Sequence, residues 1–309
     1  MVEKDIIIIG SGIAGMSAAG YAARSGRSTL VLESLAPGGQ CMYIDSVENY
    51  PGLKEPVSGF AFSEGFEVQA KRFGAETVYA EVTSIKKEGD RFLIASTDEN
   101  YAAKAVILAT GAKHRHLGAK GEETYQGKGV SYCGTCDGPL FKGKRILVVG
   151  GGDTALTDAL YLSKLTDNLT ICHRKERFRA QEGLVAQLQA VPGITCMMET
   201  NVEEILGDGK HVTGVRLSTK EGVKELGMDA VFIFVGMMPQ TTLLDSSLLD
   251  ASGYVTTDKN METKLPGLFA AGDVRDTPFR QLVTAASDGA IASHAASEYI
   301  DRIEGRTYR

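Results

Sequence analysis

The most informative part of the sequence is DIIIIGSGIAG, residues 5–15. Residues Asp5–Ile9, with the apolar run Ile6–Ile9, are predicted to form a short, fully buried strand. Gly10, Gly12 and Gly15 follow with the spacing G-x-G-x-x-G, and a helix is expected over Ala14–Ser25. Such glycines allow a tight turn and let a pyrophosphate approach the helix N-terminus, whose free N–H groups favour anions. The stretch therefore predicts the start of a dinucleotide-binding β-α-β unit.

The second strand of this unit, Ser28–Glu33, ends in a carboxylate that selects among dinucleotides. A carboxylate at this distance from the glycines accepts hydrogen bonds from a ribose 2′-hydroxyl and repels a 2′-phosphate. Glu33 therefore predicts FAD or NAD, and not NADP, in the first site. The alternative is a glycine-rich turn that only connects a strand to a helix. The strand, the helix and Glu33 together favour the dinucleotide.

A second unit of the same design begins in the middle of the chain. Arg145–Val149 is the predicted strand, Asp153–Leu165 the helix and Asn168–Cys172 the second strand. The turn contains Gly150-x-Gly152-x-x-Ala155, so alanine takes the place of the third glycine. Its second strand is followed by cations where the first unit has an acid: His173, Arg174, Lys175, Arg177 and Arg179. Cations suit a 2′-phosphate, which predicts NADPH; the alternative is a solvated basic turn.

The chemical centre is the segment Cys133-Gly134-Thr135-Cys136-Asp137. The C-x-x-C spacing lets two sulfurs close a small ring reversibly and exchange with external disulfides. Asp137 is placed to give or take a proton when a thiolate leaves. The alternative is a zinc site, which needs four ligands. No second C-x-x-C pair exists, and His114 and His116 are the histidines that could complete such a site.

The other three cysteines have weaker signals. Cys172 ends a predicted buried strand and Cys196 lies in an apolar stretch, so both are expected to be small core side chains. Cys41 follows Gln40, and the sequence assigns it no role. With five cysteines in 309 residues, a disulfide framework is not expected.

Composition excludes some classes of function. The chain is 43% hydrophobic and 23% charged, as in an ordinary globular protein. Its net charge of -6, without basic runs, argues against nucleic-acid binding. No signal peptide is visible, and Ile6–Ile9 is too short to span a membrane, so a soluble cytoplasmic protein is expected.

Taken together, these motifs resemble the low-molecular-weight thioredoxin reductases, over nearly the whole chain from Ile6 to Ile300. The resemblance includes Gly38–Gln40 and Val47–Gly52, which are similar to a flavin-contacting loop of that family. It also includes Val130–Gly138 around the dithiol, His173–Ala180, and the pair Gly272–Asp273 with Arg280–Leu282 near the C-terminus. No single motif is specific, but the combination is.

The resemblance implies the cofactors, the partner and the roles of residues. NADPH passes electrons through FAD to Cys133 and Cys136, and then to thioredoxin or a similar small dithiol protein. Cys136 is the sulfur that faces the flavin, Cys133 attacks the protein substrate and Asp137 supplies the proton. Asp273 bonds the ribityl chain, Gln281 lies near the isoalloxazine ring, and the enzyme is a homodimer. The implied FAD residues are Gly10, Ser11, Gly12, Ala14, Gly15, Glu33, Gly39, Gln40, Asn49, Gly272, Asp273, Arg280, Gln281 and Leu282. The implied NADP residues are Gly150, Gly152, Asp153, Thr154, Ala155, His173, Arg174, Lys175 and Arg179.

The same resemblance places Gly272–Asp273 with the first unit, which predicts the domain order. The fold class is α/β, with two Rossmann-like dinucleotide-binding domains and the second inserted into the first. The FAD-binding domain would comprise residues 1–112 and 245–309. Residues 113–244 would form the NADP-binding domain that carries the dithiol.

Two positions depart from the family pattern. Gly134 replaces the usual alanine between the cysteines and is expected to loosen the turn. Lys175 replaces the second arginine of an H-R-R segment and keeps the charge but not the bidentate fork. Since some family members use other electron donors, a different donor or dithiol partner is an open alternative.

Three other functions fit the sequence less well. A reductase subunit for a peroxidase would carry an additional N-terminal dithiol domain, for which the sequence before Asp5 leaves no room. A ferredoxin–NADP reductase of similar fold would lack the C-x-x-C. A flavin sensor with a regulatory dithiol would be reduced once without turning over, which two nucleotide sites argue against.

Overall fold

The computed structural model describes residues 1–44 and 47–306, with only the backbone of Tyr43 and Cys136. By contact density the chain divides into two compact units. The first comprises residues 1–113 and 238–309, and the second comprises residues 114–237. The second unit is therefore inserted into the first, as predicted.

Six helices are present in the described residues: α1 (Ile13–Arg24), α2 (Gly59–Arg72), α3 (Gly134–Asp137), α4 (Asp153–Leu162), α5 (Glu182–Ala190) and α6 (Leu282–Ile303). The strands in the first part of the chain are β1 (Val2–Ile9), β2 (Thr29–Glu33), β3 (Glu76–Tyr79), β4 (Val82–Glu88), β5 (Arg91–Ser96), β6 (Asn100–Leu108) and β7 (Ala112–His114). Those that follow are β8 (Val130–Ser131), β9 (Ile146–Gly150), β10 (Leu169–His173), β11 (Thr195–Met198), β12 (Asn201–Gly207), β13 (Val212–Thr219), β14 (Gly222–Leu226), β15 (Ala230–Phe234), β16 (Met237–Pro239) and β17 (Leu268–Ala270).

The sheet of the first unit runs β3-β2-β1-β6-β5-β4, and β17 also pairs with β6. The strands β3, β2, β1, β6 and β17 pair in parallel, whereas β5 and β4 continue as an antiparallel extension. Every residue of Ile6–Ile9 is buried, because helices cover one face of the sheet and loop side chains cover the other. This explains why the second half of β1, Ile6–Ile9, is a continuous apolar run instead of an alternating one.

The C-terminal helix α6 packs closely on α1. A Cβ built on Gly289 would lie 2.1 Å from the carbonyl oxygen of Ala14, so only glycine allows the two helices to approach this far. The Ser17 hydroxyl donates to the carbonyl of Ala286 across the same contact, at 2.7 Å. The helix that ends the described chain thus completes the core begun by the first β-α-β unit.

The second unit repeats the design on a smaller scale. Its parallel sheet has the order β11-β10-β9-β15-β8, and the antiparallel sheet β12-β13-β14 accompanies it. Each strand of the predicted second unit is present within one or two residues of its expected bounds, while α4 ends at Leu162, earlier than the expected Leu165.

One boundary of these compact units differs from the predicted domain boundary. Residues 238–244 belong to the first unit, not to the second. The backbone N–H of Gln240 donates to the carbonyl of Gly111, and its own carbonyl accepts from the Thr110 hydroxyl. Leu243 and Leu244 pack against the apolar core of the first unit. These long-range contacts leave no local signal in the sequence.

Candidate active site

The first glycine loop joins β1 to α1 and is shaped by close backbone contacts. Gly10 has a φ of 100°, and a Cβ there would lie 2.4 Å from the carbonyl oxygen of Ala109. A Cβ on Gly15 would lie 1.9 Å from the carbonyl oxygen of Gly10. Around Gly12, by contrast, no described atom lies within 4 Å of such a Cβ. The loop is therefore closed against its own unit at two glycines and open at the middle one, as a phosphate requires.

Glu33 is fixed beside this loop. Its Oε2 accepts hydrogen bonds from the backbone N–H of Ser11 at 2.8 Å and from the Ser11 hydroxyl at 2.7 Å. Its Oε1 accepts from the N–H of Leu35 at 2.9 Å. Since Ser11 is fully buried, these bonds hold the carboxylate rigidly at the end of β2. This arrangement fits recognition of a ribose hydroxyl.

The segment after β2 folds back onto the glycine loop. The N–H of Gly38 donates to the carbonyl of Ser11 at 2.9 Å. A Cβ on Gly39 would lie 3.1 Å from the Cα of Gly12, so glycine permits the approach. The Gln40 side chain donates from Nε2 to the carbonyl of Ala112. Of the two residues that the sequence assigned to a flavin site, Gly39 thus lies against the first glycine loop, and Gln40 contacts β7.

Cys41 now has a structural explanation. Its side chain is buried, its thiol donates to the carbonyl of Gly59 at 3.4 Å, and burial raises the pKa of the thiol to about 11. A thiol with that pKa is almost entirely protonated at neutral pH and is a poor nucleophile. Cys41 is therefore a packing residue beneath the loop.

The C-terminal motif lies in the same unit. Asn49 donates from Nδ2 to Oε1 of Gln281 at 2.8 Å, which joins two predicted flavin segments that are far apart in sequence. Asp273 lies in a 3-10 turn over Gly272–Val274, and the N–H of Gly272 donates to Asp288. Burial raises the pKa of Asp273, and the charge of Arg280 opposes that rise.

Arg280 is itself unusual. Its guanidinium lies 4.1 Å from the centre of the Tyr254 ring, a cation–π contact. Its Nε is buried and has no hydrogen-bond partner within the described part of the chain. A buried N–H donor without an acceptor fits a site that a bound group completes. Leu282, the last predicted flavin residue, begins α6 directly after this segment.

The second glycine loop joins β9 to α4. Gly150 has a φ of 152°, and a Cβ there would lie 2.4 Å from the carbonyl oxygen of Phe234. A Cβ on Gly151 would lie 2.5 Å from the His173 ring. Gly152 is open, with no described atom within 4 Å. The loop therefore has the same plan as the first: closed at one end and open where a phosphate would approach.

Hydrogen bonds attach the basic segment to this loop and to the start of α4. The carbonyl of Gly151 accepts from the N–H groups of Arg179 and Ala180, at 2.6 and 3.1 Å, which folds the basic segment onto the loop. The Asp153 carboxylate accepts from the N–H and the side-chain amide of Gln181, at 2.8 and 2.9 Å. Thr154 is exposed and Ala155 is fully buried.

The basic segment 173–179 concentrates four cations around one acid, Glu176. Arg174, Lys175, Arg177 and Arg179 are exposed, and none forms an ion pair with a carboxylate among the described residues. His173 is buried, and its Nε2 has no partner within the same described residues. Burial lowers the pKa of His173, and Arg179, Arg174 and Lys175 lower it further. These four cations and the orphan nitrogen fit a phosphate group.

The dithiol segment begins immediately after β8. Cys133 is in a disulfide, and the Cys136 side chain lies outside what the structure describes. The N–H of Cys133 donates to the Ser131 hydroxyl at 3.1 Å, and the Thr135 hydroxyl lies 3.5 Å from the Cys133 sulfur. Asp137 is the last residue of α3, and its N–H donates to the carbonyl of Cys133 at 3.2 Å. The C-x-x-C is thus wound into one helical turn.

Sequence reasoning missed a buried acid beside this segment. Glu122 is 2% exposed and accepts hydrogen bonds from the N–H groups of Leu117 and Gly118, at 2.8 and 2.6 Å. It also accepts from the hydroxyl of Tyr132, the residue before Cys133, at 2.7 Å. Burial, and then this carboxylate, raise the pKa of Tyr132. No motif contains Glu122, so only the folded structure could reveal it.

The predictions for the two remaining cysteines had different outcomes. Cys172 is fully buried in β10, as expected. Cys196 is exposed, so its prediction as a core residue was wrong. It lies in β11, the edge strand of its sheet, where one side of the strand is open to solvent. Among the described residues, including His114 and His116, no cluster of three histidine, cysteine or acidic side chains could hold a metal ion. Within the same residues no helix has the length and apolarity to cross a membrane.

Comparison with known proteins agrees with this geometry. A family model described as pyridine nucleotide-disulphide oxidoreductase matches residues 4–289. A thioredoxin reductase from Treponema pallidum (strain Nichols) is 48% identical over 303 residues, covering 98% of this chain and 99% of that protein. The crystal structure of the Lactococcus lactis thioredoxin reductase matches with a TM-score of 0.91 and 41% identity, covering 97% of this chain and 99% of that one. The thioredoxin reductase structure from T. acidophilum matches with a TM-score of 0.88 and 41% identity, covering 98% and 100%.

The chain belongs to the pyridine nucleotide-disulphide oxidoreductase family. Within that family it is a flavin-dependent disulfide oxidoreductase, and its cofactors are FAD and NADPH. Gly12 in the first loop and Gly152 in the second leave the open space that the pyrophosphate of such cofactors needs. Of the two loops, only the second is accompanied by cations that form no ion pair among the described residues.

Proposed function

We propose that this enzyme is an NADPH-dependent thioredoxin reductase whose working dithiol is Cys133 and Cys136. The observation that carries the proposal is the disulfide at Cys133, set on a helical turn in the same unit as the unpaired cations. The first unit would bind FAD at Gly10–Gly15, Glu33, Gln40 and Asp273. The second would bind NADPH at Gly150–Ala155 and the segment His173–Arg179.

FAD, when bound, carries two electrons from NADPH to the disulfide. The first glycine loop holds the pyrophosphate, and Glu33, already bonded to Ser11, orients the ribose. Arg174, Lys175 and Arg179 neutralise the 2′-phosphate in the second unit. These residues position the cofactors and leave the bond-making steps to the sulfurs.

The reduced dithiol then exchanges with the partner. Cys133, as a thiolate, attacks one sulfur of the thioredoxin disulfide, forms a mixed disulfide and releases the other sulfur as a thiolate. That thiolate takes up a proton, which Asp137 is positioned to deliver. Cys136 next attacks the Cys133 sulfur, releases the second thioredoxin sulfur, which is also protonated, and restores the enzyme disulfide. Two electrons and two protons pass from the enzyme to thioredoxin.

The Thr135 hydroxyl has a role in this scheme. It lies 3.5 Å from the Cys133 sulfur and can donate a hydrogen bond to the thiolate that forms there. Hydrogen bonding to the charged form lowers a thiol pKa, so Thr135 favours the reactive state.

The test is steady-state reduction of a disulfide reagent coupled through thioredoxin, with NADPH and NADH compared side by side. We expect turnover with NADPH, a strong preference over NADH, and no turnover in Cys133→Ser or Cys136→Ser. Turnover that survives both substitutions would contradict the dithiol assignment. If the purified protein is yellow but neither nucleotide supports turnover, the donor is different, for example a ferredoxin.

We also propose that the enzyme is a cytoplasmic homodimer. The resemblance to the family supports the dimer, and the free thiols of Cys41, Cys172 and Cys196 suit a reducing compartment. Light scattering on the eluting peak of a sizing column should give twice the chain mass of 33.0 kDa. A peak at the mass of one chain would exclude the dimer.

A further inference from the structure

The helical turn that carries the dithiol is bonded to a carboxylate that no motif includes. The backbone N–H of Gly134, the residue after Cys133, donates a hydrogen bond to Oδ1 of Asp158 at 2.9 Å. Asp158 belongs to α4, the helix that begins at the second glycine loop. The bond therefore connects the redox-active turn to a rigid element of the same unit.

Gly134 is the residue that makes room for this bond. A Cβ on Gly134 would lie 2.4 Å from Oδ1 of Asp158 and 3.2 Å from its Cβ. The φ of Gly134 is not positive, so the backbone conformation itself does not demand glycine. A side chain at this position would instead require the Asp158 carboxylate to shift away from the Gly134 amide. This accounts for the departure from the alanine that the family usually carries between the two cysteines.

The Asp158 carboxylate accepts a hydrogen bond from the Gly134 amide, which favours its charged form. Burial raises the pKa of Asp158 to about 6, and the hydrogen bond from Gly134 opposes that rise. A fixed negative charge beside the turn disfavours a thiolate at Cys133, whereas the hydroxyl of Thr135 favours one.

Other titratable groups near α4 do not cause the raised pKa of Asp158. The elements packed against α4 are α3, α5, β9, β10 and β15. Beyond the dithiol itself, their titratable side chains are Asp137, Cys172, His173 and Glu182, and α4 also carries Asp153 and Tyr161. None of these contributes to the pKa shift of Asp158, and Asp153 is already bonded to Gln181.

We propose that Asp158 is a positioning residue for the dithiol, which holds the turn through the amide of Gly134, and that Gly134 and Asp158 act as a matched pair. The inference rests on the dithiol function proposed above. Asp158 acts through the backbone of the turn, and its observed contact is with the amide of Gly134. It fixes the geometry in which the Cys133 sulfur meets its partner, and its charge tempers the reactivity of that sulfur.

The test compares Gly134→Ala, Asp158→Ala, the double variant and Asp158→Asn in the holoenzyme. Gly134→Ala should lower kcat of thioredoxin-coupled turnover by about tenfold or more, because small misplacements of reacting groups are costly. The KM for NADPH and the flavin content should not change. The double variant should recover part of the lost kcat, because removing the carboxylate relieves the 2.4 Å contact.

Asp158→Asn separates position from charge. Asparagine keeps an oxygen that can accept from Gly134, so kcat should stay within about threefold of wild type while Asp158→Ala loses more. The rate of alkylation of Cys133 in the reduced enzyme is measured against pH by mass spectrometry of its peptide. The midpoint of this pH profile should be about half to one pH unit lower in Asp158→Asn than in wild type. A purely structural role would move the unfolding temperature and leave this midpoint in place.

Several results would overturn the inference. They are a Gly134→Ala variant as active as wild type, a double variant whose loss is the sum of the two single losses, or an unmoved alkylation midpoint in Asp158→Asn. If Gly134→Ala fails to fold, an equal kcat in Asp158→Ala and Asp158→Asn would also overturn the inference. A Cys133→Ser variant with wild-type turnover would instead refute the dithiol function itself, so the two failures are distinguishable.

Discussion

The two glycine loops have one backbone plan and opposite chemistry. In both, a buried strand leads to a glycine that the neighbouring backbone crowds, Gly10 or Gly150, and the second glycine of the motif, Gly12 or Gly152, stays open. The first loop is accompanied by Glu33, whose carboxylate is held by three hydrogen bonds. The second is accompanied by four cations that have no carboxylate partner among the described residues. Both loops therefore fit a pyrophosphate, and the side chains at or just after the end of the second strand differ in the nucleotide that they fit.

The largest effect is expected at the third motif position, which is Gly15 in one loop and Ala155 in the other. Gly15→Ala would place a Cβ 1.9 Å from the Gly10 carbonyl oxygen. The resulting strain should cost about 3 kcal/mol, which weakens FAD binding more than about a hundredfold. The ratio of flavin absorbance to protein absorbance measures this loss.

Ala155→Gly is the matched control, because its side chain is already accommodated. It should cost only about 1 kcal/mol of unfolding free energy and leave the KM for NADPH near wild type. A Gly15→Ala protein that purifies with full flavin would show that backbone crowding is not the reason for the third glycine.

The second prediction concerns the cations of the second loop. Arg174→Gln and Arg179→Gln should each raise the KM for NADPH by roughly tenfold to a hundredfold, because each loses a charge-assisted hydrogen bond to a phosphate. The KM for NADH should not change. Lys210→Gln, an exposed charge elsewhere in the second unit, is the control and should change neither constant. Equal losses for both nucleotides would mean that the cations do not recognise the 2′-phosphate.

The third prediction concerns the acid of the first loop. Glu33→Gln replaces one acceptor oxygen by an amide that cannot accept from Ser11 or Leu35, and should weaken FAD binding about tenfold. Titration of the apoprotein with FAD measures the affinity. The ratio of NADPH to NADH activity should stay at its wild-type value, and a shift in that ratio would contradict the division of labour between the loops.

The smallest effect concerns an ion pair at the central strand of each unit. In the first unit the acid belongs to the central strand, and in the second unit the base lies next to it. Asp5, within β1, pairs with Lys104, and Arg145, just before β9, pairs with Asp229. Hydrogen bonding from Arg145 lowers the pKa of Asp229. Its contribution to stability is therefore present above the ordinary aspartate value of about 3.9 and is lost as the pH falls through the lower folded value.

Asp229→Asn should thus cost below about 1 kcal/mol at pH 7, because the pair is partly exposed. The difference from wild type should vanish at acidic pH in denaturant unfolding curves. A difference that persists at pH 2 to 3 would mean that the pair does not act through its charge.

The strands and helices of both β-α-β units were predictable because their signals are local. An apolar run, a glycine spacing and a charged residue after the second strand lie within about thirty residues of one another. The contacts that position the dithiol are different, since Glu122 and Asp158 belong to no spacing pattern and act through backbone N–H groups. Gly134 illustrates the limit, because the sequence suggested a looser turn and the structure shows a glycine that admits a carboxylate. The prediction for Cys196 was wrong because an apolar neighbourhood in sequence does not reveal which side of an edge strand faces solvent.

The packing of α6 on α1 has a consequence for how the protein is made. The second unit is one continuous segment, residues 114–237, and its core is complete once that segment has left the ribosome. The first unit needs β17 and α6, which are translated after it. Its opening β-α-β unit must therefore wait, with an unfinished core, until the last helix emerges and Gly289 reaches Ala14. Although the first unit begins first in the sequence, it is the last part of the molecule that can finish folding.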